Sequence, residues 1–313
     1  MAADRRAAGP GLLERLEQGP VICAEGYLFE FERRGYLQAG AFVPEVVLEH
    51  PELVAQLHRA FVHAGSDVVE AFTYYGHREK LRIIGKEELL EPLNRQALML
   101  AKEVADETGT LVAGDICNTN AFEPDDDDSI RAVRMMFEEQ VGWAVEAGVD
   151  FVIAETISHV GEALLALETI KAAGLPAVVT MAVHRDPITR DGCTIAEACK
   201  RLEDACADVV GVNCIRGPRT MLSLLGPIRD AVDGHIAALP VPYRTHKDEP
   251  TFQALRDPGA QDLPNDMPFP TALDPLACNR YEIAEVGRAA FELGVRYLGV
   301  CCGNAPHYTR SLA

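Results

Sequence analysis

The sequence of 313 residues contains no apolar run close to the ~18 residues that a membrane-spanning helix requires. Charges occur throughout segment 1–18, so a secretory signal is also absent, and we expect a cytoplasmic protein with no membrane association. Lysine and arginine do not cluster along the chain and the formal net charge is −19, which argues against a nucleic-acid or anionic-lipid partner. No P-loop and no G-x-S-x-G motif occurs.

Eight short apolar runs alternate with stretches of helical period. These candidate strands are 21–24, 67–72, 110–115, 150–155, 177–182, 208–214, 236–239 and 296–301. Their nearly continuous apolar character predicts burial on both faces, as in a parallel sheet covered by helices. Because eight such units follow one another and no G-x-G-x-x-G follows the first, we predict a single-domain (β/α)8 TIM barrel rather than an open doubly wound sheet.

Small residues end four of the predicted helices just before a strand. Glycine occupies this place at Gly65, Gly148 and Gly294, where its left-handed conformation can end a helix, and Cys206-Ala207 occupies it in the fourth case. Two long segments interrupt the alternation, namely 36–52 and the proline-rich 240–275. Loops of this length are usually functional, and we expect both near the carboxyl-end face of the barrel.

Nine cysteines in a chain without an export signal argue against a disulfide framework. Six of them stand singly among apolar or helical neighbours and are interpreted as small buried hydrophobic residues: Cys23, Cys117, Cys193, Cys199, Cys206 and Cys278. The remaining three, Cys214, Cys301 and Cys302, lie at the predicted ends of strands six and eight. Active-site residues of TIM barrels lie at such strand ends, so these three thiols are expected to meet.

Three converging thiols match the ligand set of a zinc ion with one open position. Adjacent cysteines such as Cys301 and Cys302 cannot form an unstrained disulfide, which favours a metal over a redox bond. The alternative is three ordinary core cysteines. Zinc bound by three thiolates can bind a further thiol and lower its pKa from ~8.5, so the chemistry that suits such a site is attack of a substrate thiolate on an alkyl group.

The strand-end motifs also resemble a known family. Glu25-Gly26, Phe72-Thr73-Tyr74-Tyr75, Gly211-Val212-Asn213-Cys214 and Gly299-Val300-Cys301-Cys302-Gly303 are similar to motifs of the homocysteine S-methyltransferases, in particular the betaine-dependent ones. The resemblance runs from about Val21 to Leu312. It implies a zinc-dependent barrel that methylates homocysteine to methionine, with Cys214, Cys301 and Cys302 as the zinc ligands.

The same resemblance implies binding residues for homocysteine. Glu25, Gly26 and Glu155 match the part of the family's site that holds the amino acid, and an ammonium group requires an anionic partner of this kind. The betaine-dependent enzymes carry aspartate at the position that matches Glu25. An alternative role for Glu155 is to cap the helix that follows its strand.

Residues for the methyl donor follow the family pattern only in part. Tyr75 matches a tyrosine of the betaine-dependent enzymes, and Tyr74 and Phe42 match neighbouring aromatic positions that bind quaternary ammonium groups through cation–π attraction. Thr156, however, replaces a second tyrosine, and Phe42 replaces a tryptophan. Other small onium donors therefore stay open beside glycine betaine. The loop after strand seven offers candidate partners for a donor carboxylate: Tyr243, Arg244, His246 and Lys247.

Other functions remain compatible with the sequence. The methyl group could come from S-methylmethionine, from S-adenosylmethionine, or from a corrinoid or folate carried on a separate protein. A non-catalytic barrel that senses zinc or redox state, and a barrel with core cysteines and another reaction, are further alternatives. His159 and His184 are interpreted as hydrogen-bonded loop or helix residues, since neither has a partner at metal-ligand spacing. A homo-oligomer is also possible.

Overall fold

The computed structural model describes residues 9–37, 40–260, 263 and 267–313. Eight parallel strands close into a barrel in chain order, because β1 pairs with both β2 and β8. The strands are β1 (Val21–Ala24), β2 (Val68–Glu70), β3 (Leu111–Cys117), β4 (Phe151–Ile157), β5 (Ala177–Met181), β6 (Val209–Asn213), β7 (His235–Leu239) and β8 (Tyr297–Val300). This architecture confirms the predicted (β/α)8 barrel.

Twelve α-helices accompany these strands within the described residues. They are α1 (Leu12–Gln18), α2 (Tyr27–Arg33), α3 (Val46–Glu49), α4 (Pro51–Ala64), α5 (Arg78–Ile83), α6 (Leu90–Thr108), α7 (Asp127–Ala147), α8 (Val160–Ala172), α9 (Ile195–Asp204), α10 (Pro218–Ala231), α11 (Arg280–Glu292) and α12 (Pro306–Leu312). None of these helices combines the length and apolar character that crossing a bilayer demands.

The turns between helices and strands use the left-handed conformation as predicted. Gly65, Gly148 and Gly294 have φ values of 114°, 73° and 90°. In the fourth turn Cys206 itself adopts φ 70°. Its side chain is exposed, which corrects its interpretation as a buried hydrophobic residue. All nine cysteines are free in the structure.

The two long segments are more structured than plain loops. The first contains α3 and the start of α4, where Pro51 is well suited to the first helical turn. The described residues of segment 240–275 include the 3-10 turn Phe252–Ala254 and the start of the 3-10 turn Asp274–Leu276. Residues 261–262 and 264–266 of this segment lie outside the described part of the chain.

Two glycines set the close packing of the strands that precede the three candidate cysteines. A Cβ atom on Gly211 in β6 would lie 2.0 Å from the carbonyl oxygen of Ala237 in β7. A Cβ atom on Gly299 in β8 would lie 2.3 Å from the carbonyl oxygen of Cys23 in β1. Any side chain at these positions would separate neighbouring strands, so glycine is required for the barrel to close beside the candidate site.

Candidate metal centre and active site

The barrel brings the three candidate thiols together at its carboxyl end. Cys214 directly follows β6, and Cys301 and Cys302 directly follow β8. The sulfur of Cys302 lies 3.5 Å from that of Cys214 and 3.9 Å from that of Cys301. All three sulfurs lie within 4.8 Å of one another, so they share one small volume.

This sulfur triangle has the dimensions of a zinc site. A tetrahedral ion with Zn–S bonds of about 2.3 Å requires sulfur atoms roughly 3.8 Å apart. Cys214 and Cys301 are buried and Cys302 is half-buried, which leaves one side of the triangle accessible. Hydrogen bonds from the thiols of Cys301 and Cys302 hold the pKa of Cys214 well below its usual range. The residues therefore fit a thiolate-bound metal ion.

Four carboxylates lie near the carboxyl ends of the first four strands. All are nearly fully buried: Glu25 follows β1, Glu70 ends β2, and Asp115 and Glu155 lie two residues before the ends of β3 and β4. Oxygens of Glu70, Asp115 and Glu155 lie within 4.8 Å of one another. The sequence analysis identified Glu25 and Glu155 and missed the other two. An acidic residue within an otherwise apolar strand is the signal that could have revealed them.

Glu155 is held in place by its neighbours. The amide Nδ2 of Asn213 donates to its carboxylate at 2.5 Å, and the hydroxyl of Thr156 donates at 2.9 Å. Burial and the nearby Cys214 raise the pKa of Glu155 to about 8. Glu155 does not cap α8, whose N-cap residue is His159. The carboxylate is thus oriented toward the barrel mouth by a residue adjacent to a candidate ligand.

Glu25 has a different environment. Both of its carboxylate oxygens lack a hydrogen-bond partner, and they lie close to Glu155 and the sulfur of Cys301. Burial and the charge of Glu155 raise its pKa well above the usual range. Gly26 packs against the metal-site backbone, since a Cβ atom there would lie 2.2 Å from the carbonyl oxygen of Cys301. A buried, unpartnered carboxylate of this kind is suited to binding a cation.

A cavity of about 270 Å³ connects the sulfur triangle, the carboxylates of Glu70, Asp115 and Glu155, and a set of aromatic rings. The predicted donor residues Phe42, Tyr74 and Tyr75 all line it. The side-chain nitrogen of Lys80 lies 4.4 Å from the ring centre of Tyr75, so one face of that ring is already occupied. Six further aromatic side chains that line it were not predicted to bind the donor: Tyr27, Phe29, Phe72, Phe122, Phe252 and Phe269.

Two histidines and an arginine also line this cavity. His159 and His184 both line it, and so does Arg190, which the sequence analysis did not single out. The candidates for binding a donor carboxylate, Tyr243, Arg244, His246 and Lys247, line a separate cavity instead. This placement corrects their proposed role, because they do not reach the space that contains Cys214.

The sequence matches a known protein family. The sequence profile described as "Homocysteine S-methyltransferase" matches residues 26–313, nearly the whole chain. The chain belongs to the homocysteine S-methyltransferase family. Membership confirms the resemblance seen in the strand-end motifs and the expectation of an S-methyltransferase.

Relatives in this family carry two different donor names. The chain is 37% identical to "Betaine--homocysteine S-methyltransferase 1" of Xenopus tropicalis, over 98% of this chain and 75% of that protein. It is 36% identical to "S-methylmethionine--homocysteine S-methyltransferase BHMT2" of Pongo abelii, over 99% and 82%. The metallated form of the homocysteine methyltransferase MmuM from Escherichia coli has the same fold, with a TM-score of 0.72, 18% identity and coverage of 95% and 97%.

Proposed function

We propose that this protein binds one zinc ion through Cys214, Cys301 and Cys302 and transfers a methyl group from a small, betaine-like onium compound to the thiol of homocysteine, giving methionine. The observation that supports this most directly is the sulfur triangle beside a buried acidic wall in one cavity. A substrate with a thiol and an ammonium group could bind the sulfur triangle through the thiol and the buried carboxylates through the ammonium group.

The three cysteines would supply the chemistry of the acceptor. Cys214, Cys301 and Cys302 would hold the zinc ion, which would lower the pKa of the acceptor thiol so that this thiol is nucleophilic at neutral pH. In the transfer, the S–CH3 bond forms while the bond from the methyl carbon to the donor nitrogen or sulfur breaks, and the leaving group departs with the electron pair. No proton moves when the methyl group is transferred, so no general base is required in that step.

The acidic wall would orient homocysteine. Its ammonium group fits between Glu155 and Glu25, because both are buried and Glu25 has no other hydrogen-bond partner. Asn213 positions Glu155 through its 2.5 Å hydrogen bond. Glu70 on β2 and Asp115 on β3 add two further buried carboxyl groups to this wall. Fixing the amino end would place the sulfur at the thiolate triangle in a reactive orientation.

The aromatic rings would accommodate the donor. Onium groups are attracted to ring faces, and Phe42, Tyr74 and Phe252 line the cavity together with Cys214. S-methylmethionine is the second candidate donor, because the relative from Pongo abelii is named for it. Both compounds carry an onium centre and a carboxylate, so the same cavity chemistry serves either.

A donor panel tests this function. We expect purified, reduced and zinc-loaded protein to form methionine from homocysteine with at least one betaine or sulfonium donor, with zinc measured on the same sample. S-adenosylmethionine and a methylated corrinoid or folate complete the panel. No methionine from any betaine or sulfonium donor would reject the proposal. Zinc binding without protection of the thiols by homocysteine would instead indicate a sensor.

Arg190 is the residue that we propose to bind the donor carboxylate. It is the one arginine or lysine lining this cavity among the described residues. We expect Arg190→Gln to raise the KM for glycine betaine about tenfold, because a charge-assisted hydrogen bond is lost, and to leave the KM for homocysteine nearly unchanged. Trimethylsulfonium, which has no carboxylate, should respond little. Arg131→Gln on α7 is the matched control, and an equal effect on both donors would contradict this role.

A further inference from the structure

A second, larger cavity lies at the same end of the barrel. Its volume is about 1040 Å³, and residues that follow β5, β6 and β7 line it together with parts of α9, α10 and α11. Six side chains that are or can become cationic line it: Arg185, Arg216, Arg219, Arg244, His246 and Lys247. Among the described residues, Glu282 is the single acidic residue in the lining. In a chain of net charge −19, this concentration of cations calls for an explanation.

Several of these cations have no acidic partner. Arg244 is paired with Glu282 at 2.8 Å, and His246 contacts Glu249 at 3.2 Å. Within the part of the chain that the structure describes, Arg185, Arg219 and Lys247 form no ion pair. Three exposed positive charges thus face one cavity outside any ion pair, although Arg219 lies near enough to Glu282 to help lower the pKa of that carboxyl group.

Arg216 adds a buried, incompletely bonded guanidinium. Its side chain is only 6% exposed. Its Nη2 donates to the carbonyl oxygens of His184 and Arg185 at 2.6 Å and 2.7 Å, but its Nε has no hydrogen-bond partner. A buried guanidinium with an unpaired donor is unfavourable, and an anion in the cavity that Arg216 lines would stabilise its positive charge.

The amino end of α10 lines the same cavity. Pro218, Arg219 and Thr220 form its first turn, and the N-cap residue Gly217 has no side chain with which to cap it. The helix has 14 residues, and the partial positive charge at its amino end favours anions. The helix end and the unpaired Nε of Arg216 are independent features that select the same sign of ligand.

We propose that this cavity binds a phosphorylated small molecule of nucleotide size, with at least two phosphate groups. Guanidinium groups and a helix N-terminus both bind phosphate oxygens well, and three unpaired cations suit a ligand with more than one phosphate group. Ligand sites commonly measure about 300–1,000 Å³, so the cavity is large enough for an organic moiety as well. Pro187, Ile188 and Leu224 offer apolar surface for that moiety. This site is separate from the cavity that contains Cys214, which we call the methyl-transfer cavity, and the proposal does not depend on the function of that cavity.

Calorimetric titration of the full chain with ADP and with pyrophosphate tests the proposal. We expect saturable binding of both, with pyrophosphate displacing ADP. The double variant Arg219→Glu/Lys247→Glu should weaken both on the order of 10- to 100-fold. Arg288→Glu/Arg310→Glu reverses the same amount of charge at exposed residues that do not line the cavity, and it should leave binding nearly unchanged.

Unaltered thermal unfolding and methyl transfer in both double variants would show that the fold is retained. Absence of saturable binding of either probe by the unmodified protein would overturn the proposal. Equal weakening in the two double variants would also overturn it, since only the overall charge would then matter. Binding of a hexaglutamate peptide without binding of ADP or pyrophosphate would reject a phosphate ligand in favour of an acidic protein segment.

Discussion

Cys214→Ser is expected to abolish stoichiometric zinc binding and to reduce methionine formation by more than about 100-fold. Cys214 follows β6, whereas Cys301 and Cys302 both follow β8. Because Cys214 is the one member of the sulfur triangle on β6, the other two thiols cannot replace it. Changes to groups that merely support a metal ligand already cost 10–100-fold, and loss of a ligand should cost more. Zinc content by atomic emission and initial rates on the same preparation provide the measurement.

Cys206→Ser is the matched control. Cys206 is a free, exposed thiol outside the site, so this variant should keep its zinc and its activity. The zinc proposal would be wrong if Cys214→Ser retained one equivalent of zinc while folded. Loss of zinc in the Cys206 variant would likewise show that the measured metal is bound elsewhere.

Glu155→Gln is expected to raise the KM for homocysteine about 10- to 100-fold. The change removes the negative charge but keeps the shape, and a hydrogen bond to a charged group contributes about 1.5–3 kcal/mol. The decisive comparison uses 4-mercaptobutanoate, which has the same thiol and carboxylate but no ammonium group. Its KM should change little, because the lost interaction does not exist for it.

Glu123→Gln is the control for this experiment. Glu123 lines the same cavity but is exposed, so its charge is screened by water and its loss should have little effect on the KM for homocysteine. Equal increases in KM for homocysteine and for 4-mercaptobutanoate in Glu155→Gln would contradict the assignment, because they would show general damage to the cavity. The KM for the donor should stay nearly constant.

Residues at strand ends were the easiest part of the site to predict. Periodicity indicated the strands, and in a parallel barrel every strand presents its carboxyl end at one mouth. Cys214, Cys301 and Glu155 could therefore be placed together although they are far apart in sequence. Glu70 and Asp115 follow the same rule but were not predicted, because neither belongs to a motif that resembles the family, and an acidic residue in an apolar strand was the one signal for them.

Residues on loops were predicted less well. Phe252 and Phe269 line the methyl-transfer cavity, whereas Arg244 and Lys247 of the same long segment line the neighbouring one. Backbone contacts decide this division, for example the hydrogen bond from the amide of Phe252 to the carbonyl oxygen of Ile215 at 2.9 Å. Such contacts join segments remote in sequence and leave no periodic signal.

Local pattern alone determined the barrel, the order of its strands and the meeting of the three thiols. These properties follow from repeated apolar runs and from the parallel direction that short helix–strand units impose. Only the tertiary structure decided which carboxylates face one another, which aromatic rings enclose the cavity, and that arginines and lysines spread along the chain meet in a second cavity. Those properties depend on side-chain direction and loop path, which are set by packing between distant segments rather than by neighbouring residues.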